Sequence, residues 1–123
     1  MTIIEAISRI DSLKPNTYPQ EQKISWLSTL DGMIKKFIID THEGGEGVSF
    51  TEYTPDDINA ELLVPAPFDG IYMRWLEAQM DYANGEYGKY NNAIITFNTE
   101  YEAYLKYYNK THMPKTSGTR FLF

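Results

Sequence analysis

"YANGEYGKYNN", residues 82–92, sets two glycines and three tyrosines among Glu, Lys and Asn. Asn84-Gly85 is a pair that readily takes the left-handed conformation closing a helix. The stretch therefore reads as an elbow between two helices in preference to a loop that presents aromatics to a ligand. On its near side Ile71, Tyr72, Trp75, Leu76, Gln79, Tyr82 and Ala83 form a broad apolar face. Their spacing predicts a helix from about Phe68 to the elbow. On its far side Tyr87, Tyr90, Ile94, Phe97, Tyr101, Tyr104, Leu105 and Tyr108 recur at intervals of three and four. A helix from about Glu86 to Lys110 follows, a rod of ~37 Å, with Glu102 and Lys106 as a favourable pair one turn apart. Gly88 relaxes the first turn of this helix or allows close packing there. The expected centrepiece is a long C-terminal helical hairpin.

Upstream, "TIIE" at 2–5 has the capping-box pattern of Thr2 with Glu5, in which each side chain satisfies the other's backbone N–H. Ile3, Ile7 and Ile10 continue a short helix to about Leu13, which Pro15 stops. Pro19 suits a first helical position. Ile24, Leu27, Leu30, Ile34, Phe37 and Ile38 then make one stripe, predicting a helix to about Thr41. Gly32 inside it points to a bend or a close contact, since glycine costs ~1 kcal/mol there relative to Ala.

Residues 42–66 break the pattern and read as an irregular insertion. "HEGGEG" is a turn and "VSFTEY" alternates loosely as a short strand would. "TPDD" is a second capping-box pattern, Thr54 with Asp57, opening one helical turn. "ELLV" fits either a strand or the end of that turn, and "PAP" at 65–67 closes the segment. Residues 111–123 read as an extended tail. The fold class is mainly α: one domain over 1–123, a small bundle of three to four helices with the insertion (a short β-hairpin is one form it takes) and the tail. The expected core includes Trp26, Leu30, Phe37, Trp75, Ile94, Phe97 and Tyr101.

Composition excludes several functions. Net charge is −6 and the pI about 4.8, which opposes wrapping of nucleic acid, because phosphate contacts need clustered Lys and Arg. No cysteine is present, so disulfides and thiolate metal sites are out and a reducing compartment fits. "MTIIEAISRIDSL" lacks the basic start and small-residue cleavage site of a signal peptide. No apolar run approaches the ~20 residues of a membrane span. A soluble intracellular protein is expected. His42-Glu43 and His112 lack a second ligand at metal spacing and read as surface histidines. Asp56 and Asp57 point apart on a helix start, and "GGEG" lacks the Lys-Ser/Thr of a phosphate loop. No catalytic, cofactor or metal site is expected.

The charge map is uneven. Between Lys36 and Arg74 there is no Lys or Arg, while Asp40, Glu43, Glu46, Glu52, Asp56, Asp57, Glu61 and Asp69 fall there. After Glu102 no acid follows, but Lys106, Lys110, Lys115 and Arg120 do. A basic end that meets the acidic segment of the next copy would give head-to-tail association, which closes rings. Candidate interface residues are Phe50, Tyr53, Asp56 and Asp57 in the insertion and Lys115, Arg120 and Phe121 in the tail.

"ELLVPAPFDGIYMRWLEAQMDYANGEYGKYNNAIITFNTEYEAYLKYYNKTHMP", residues 61–114, with "WLSTLDGMIKKFIIDTH", residues 26–42, resembles proteins of the structural modules of tailed bacteriophages and prophages of Gram-positive bacteria, in particular the head–tail connector (adaptor) group. The resemblance covers roughly residues 20–114 in wording and helix layout. It implies a non-enzymatic subunit without cofactors, made in the bacterial cytoplasm and ending in the virion. Copies would form a ring between the portal protein and a tail-completion protein. A loop and a terminal segment that order on assembly correspond in position to 42–66 and 111–123. An acidic channel lining would let DNA pass without sticking. The alternative is a small acidic helical regulator of a phage or prophage that binds a basic protein.

Overall fold

The computed structural model describes residues 1–115. Helix α1 spans Ile3–Leu13, α2 Gln20–Ile34, α3 Ile71–Ala83 and α4 Tyr87–Thr111. The chain is mainly α, as its periodicity predicts. α3 and α4 form the hairpin, and α1 and α2 pack on it mainly through α3. The core runs through Ile3, Ile7 and Ile10 of α1, Leu27, Leu30 and Ile34 of α2, Tyr72, Leu76 and Met80 of α3, and Phe97, Tyr104 and Tyr108 of α4.

Local chemistry sets the helix ends. Thr2 and Glu5 form the reciprocal capping box, with Thr2 N–H donating to Glu5 Oε1 (2.8 Å) and Glu5 N–H to Thr2 Oγ1 (3.2 Å). Two N–H groups of the first turn of α1 find carbonyls of the insertion: Ile3 donates to Ala60 (3.0 Å) and Ile4 to Ile58 (2.8 Å). Donors that a helix start leaves orphaned are thereby satisfied. Pro19 is the N-cap of α2 and not its first turn, and α3 starts at Ile71, three residues after Phe68. The elbow is as expected: Gly85 takes a φ of 75°. Gly85→Ala is expected to cost about 1 kcal/mol, because a Cβ disfavours this region, and urea unfolding measures it. Tyr82, Tyr87 and Tyr90 cluster at the elbow, Tyr82 lying 5.5 and 5.2 Å from the other two ring centres.

The second stripe departs from its predicted register. After Ile34 the backbone widens into a π-helical turn, Lys35–Ile39, marked by Asp40 N–H donating to Lys35 O at 2.8 Å. A π turn inserts one residue into the helical repeat. Ile38, Ile39 and His42 therefore face inward, and Phe37 stands 55 % exposed, where a straight helix would have buried it. Phe37 is thus not a core residue. Phe37→Ser is expected to change stability by less than about 0.5 kcal/mol, whereas Ile38→Val costs about 0.5–1.5 kcal/mol. Chemical denaturation of Phe37→Ser, with Ile38→Val as the buried reference, distinguishes this register from a continuous α-helix, in which Phe37 would be buried. Trp26, Trp75, Ile94 and Tyr101 lie partly buried against the core. The Trp75 indole donates to the Trp26 carbonyl (2.7 Å) and its ring packs on Phe97 at 5.2 Å.

Candidate functional site: an acidic insertion pinned by a buried aspartate

The insertion forms no β-hairpin. Its regular pieces are two single 3-10 turns, Gly45–Gly47 and Pro55–Asp57, and "VSFTEY" runs as irregular chain. The physical reason is that it does not pair with itself. Its polar groups are spent on the helices beside it. Glu61 makes one isolated antiparallel bridge to Thr2, and Met1 N donates to Glu61 at 3.1 Å. The second capping box does form: Thr54 N–H donates to Asp57 Oδ2 at 2.8 Å.

One carboxylate organises the segment. Asp31, on the buried face of α2, is 0 % exposed. It accepts from the Tyr53 hydroxyl (2.5 Å), the Tyr72 hydroxyl (2.6 Å) and the Leu63 N–H (3.0 Å). Tyr72 O in turn accepts from Val64 N–H at 2.8 Å. One buried group thereby ties α2, α3 and both arms of the insertion. Burial pushes the Asp31 carboxyl above the ordinary aspartate range, against the pull of its three donors. Burial, and then the Asp31 charge, push the Tyr53 and Tyr72 hydroxyls upward, so both stay protonated donors. Asp31 carries no motif that marks it in the sequence. The available signal was its spacing: it follows Leu27 by four and precedes Ile34 by three, on the stripe itself.

Of the interface candidates, Phe50 and Tyr53 do come together. Their rings meet edge-on at 5.3 Å, both half-buried on α2. A Cβ on Gly32 would lie 3.5 Å from the Phe50 ring, an ordinary packing distance, so Phe50 lies beside this glycine without requiring it. Tyr53 N–H donates to Ser28 Oγ at 3.0 Å. Asp56 is exposed at the outer edge, while Asp57 is half-buried and serves as the cap. Phe50, Tyr53 and α2 enclose a cleft of about 420 Å³ floored by Ile24 and Ser28 and flanked by Glu21 and Glu52.

The root of the insertion meets the root of the tail. Glu43 N–H donates to Met113 O (2.8 Å) and Lys115 N–H to Thr41 O (2.9 Å), an antiparallel bridge of His42 with Pro114. His42 is not a surface histidine. It is 3 % exposed, its ring nitrogens lie 2.6 Å from the Ile38 carbonyl and 2.6 Å from Asn109 Oδ1, and Tyr108 packs edge-on at 4.8 Å. The π turn brings it inward. Lys115 Nζ lies 3.5 Å from Glu46 Oε2, so the described part of the basic end meets the acidic segment within one chain. Both groups are open to water and the pair is worth little in stability. The Glu46 backbone N–H, and then Lys115, hold the Glu46 carboxyl below its usual range. Arg120 and Phe121 lie outside the described residues.

Among the described residues no group of His, Cys, Asp and Glu has the arrangement of a metal site, and no helix is long and apolar enough to cross a membrane. Comparison with protein-family models, with curated proteins and with solved structures gives no match.

Proposed function

We propose that this chain is a structural assembly protein, a head–tail connector subunit of a tailed bacteriophage or prophage, acting by surface contact and not by chemistry. The observation that carries the reading is the insertion fixed to the bundle by Asp31. A segment of this length without its own strands is costly to order, and here it is held as a shaped, acidic surface carrying Glu43, Glu46, Glu52, Asp56 and Glu61 outward. Such a surface suits repeated copies and neighbours of complementary charge, where electrostatics sets register and partner choice. The resemblance of residues 26–42 and 61–114 to phage structural proteins names the setting: a ring between portal and tail-completion protein, in the virion. An acidic lining is also compatible with DNA passing without retention.

Electron microscopy of the protein mixed with the portal of the same phage tests this. Rings of density on the portal are expected, and a portal left bare at saturating protein overturns the reading. The same acidic surface favours a second reading, a small acidic module that sequesters a basic protein. That reading expects capture of a basic partner by the isolated chain, weakening steeply with salt, and no portal binding.

A further inference from the structure

We infer that residues 49–53 are an open strand edge, and that the cleft between them and α2 receives an extended segment of another protein as an added strand, with alternating apolar and basic side chains. This role for the edge rests on the reading of the insertion as a contact surface, and it specifies where and by what chemistry contact is made. Unspent backbone is the first sign. Val48 and Thr54, at the two ends of the run, have extended backbone, with φ/ψ of −104°/112° and −114°/168°. Between them the N–H groups of Ser49, Phe50, Thr51 and Glu52 make no hydrogen bond among the described residues, and neither do the carbonyls of 48–53. Ser49, Thr51 and Glu52 are exposed. An extended edge in this state is a template for a further strand. It is also held in place before any partner arrives. The Tyr53 N–H donates to Ser28 Oγ and its hydroxyl to Asp31, and Phe50 lies beside Gly32. A preordered edge lowers the entropy that pairing costs.

The second sign is the space beside the edge. The cleft of about 420 Å³ has Ile24 and Phe50 as apolar surface and Ser25, Ser28 and Thr29 as polar surface. Its volume lies within the range of ligand sites. Successive side chains of a strand point to opposite faces. A strand laid here therefore turns one set down to Ile24 and Phe50 and the other set outward to the rim.

Charge is the third. The rim carries Glu21 and Glu52. Both are exposed, and neither forms an ion pair among the described residues. No Lys or Arg occurs between Lys36 and Arg74, so the insertion supplies no cation of its own. The outward positions of the added strand are therefore Lys or Arg, and the inward ones are apolar. Exposed pairs of this kind add little affinity but select the partner and its register. Main-chain hydrogen bonds to the edge supply the affinity.

The test selects binders to the full chain from a displayed library of random octapeptides, then measures the synthetic peptides by nuclear magnetic resonance. Selected peptides are expected to alternate Lys or Arg with apolar residues and to shift the amides of 49–53 and 25–32. N-methylation at one set of alternate peptide residues is expected to abolish binding and at the other set to spare it, because only one set faces the edge. Glu21→Lys with Glu52→Lys, both at exposed positions, is expected to raise Kd about tenfold. Glu43→Lys with Glu102→Lys makes the same change in net charge at exposed positions that do not line the cleft. That pair is expected to raise Kd less than about twofold at physiological salt. No enriched peptide, peptides without cations, shifts elsewhere, methylation effects that do not alternate, or equal weakening by the two pairs would each overturn the inference. Self-association of the chain that the cleft pair weakens and the control pair does not would assign the cleft to a second copy, and overturn it too. No portal or virion takes part, so a bare portal and an empty cleft are separate results.

Discussion

Asp31→Ala is expected to lower the free energy of unfolding by about 2–5 kcal/mol, the cost of leaving two buried or part-buried donors without their acceptor. The loss is not of a favourable charge as such. Alanine leaves the buried Tyr72 hydroxyl and the part-buried Leu63 N–H without their acceptor, each costing about 1–3 kcal/mol. Tyr53 is half-buried and can turn to water, so Tyr53→Phe is expected to cost only about 1 kcal/mol. Asp31→Asn keeps the shape and one acceptor and falls between the two. Hydrogen exchange locates the damage: in Asp31→Ala the amides of 49–64 lose protection before those of α3 and α4.

Acid titration of stability gives the same group a sign. The folded state holds the Asp31 proton more tightly than the unfolded chain does, because burial opposes the carboxylate. A raised folded-state pKa contributes stability below the unfolded value and loses it as pH rises through the folded value. The difference between wild type and Asp31→Asn should therefore move in favour of the wild type as pH falls from 7 toward 4. The lowered carboxyls of Glu5, Glu46 and Glu86 act the other way, but they are common to both proteins and cancel in the difference.

Gly45→Ala is the second large effect. The Gly45 backbone is not left-handed, so the constraint is space alone. A Cβ there would lie 2.3 Å from the Ile39 carbonyl oxygen and 2.9 Å from its carbon. Both are backbone atoms of the π turn, and no flexible side chain can move aside. Overpacking of this kind costs about 1–3 kcal/mol, and the upper part of the range is expected here. The consequence spreads, because the same turn is tied to the insertion by Lys35 Nζ donating to Gly45 O at 3.2 Å, and two residues beyond it Thr41 O accepts from Lys115 N–H of the tail at 2.9 Å. Gly44→Ala and Gly47→Ala are the controls. A Cβ at either meets nothing within 4 Å, and only Gly44, with a φ of 86°, adds a conformational penalty of about 1 kcal/mol. Thermal unfolding of the three variants should rank Gly45→Ala lowest.

Features decided within a few residues were legible in the sequence. The Thr2–Glu5 box, the Asn84-Gly85 elbow and the two hairpin stripes are local matters of capping, left-handed backbone and helical period. What escaped depends on longer range. The π turn shifts the register by one residue, and nothing in "IKKFIID" announces it, so the helical period alone predicts Phe37 inward and His42 outward. The space demanded at Gly45 exists only because the insertion folds back on Ile39. The loose alternation of "VSFTEY" suggests a strand, but no partner strand forms, and the N–H and hydroxyl of Tyr53 go to Ser28 and Asp31. Of the candidate interface, Phe50 and Tyr53 belong together and Asp56 faces outward. Asp57 serves the cap, and Asp31, which holds the whole segment in place, was visible only as an acid on an apolar stripe.

The central proposal is that this surface serves virion assembly. Mass spectrometry of virions purified from the chain's own source, with gold-labelled antibody against residues 42–66, tests it most directly. The account predicts peptides of this chain in intact particles and label at the head–tail junction. Virions that are complete and infectious yet contain no trace of the chain would contradict it.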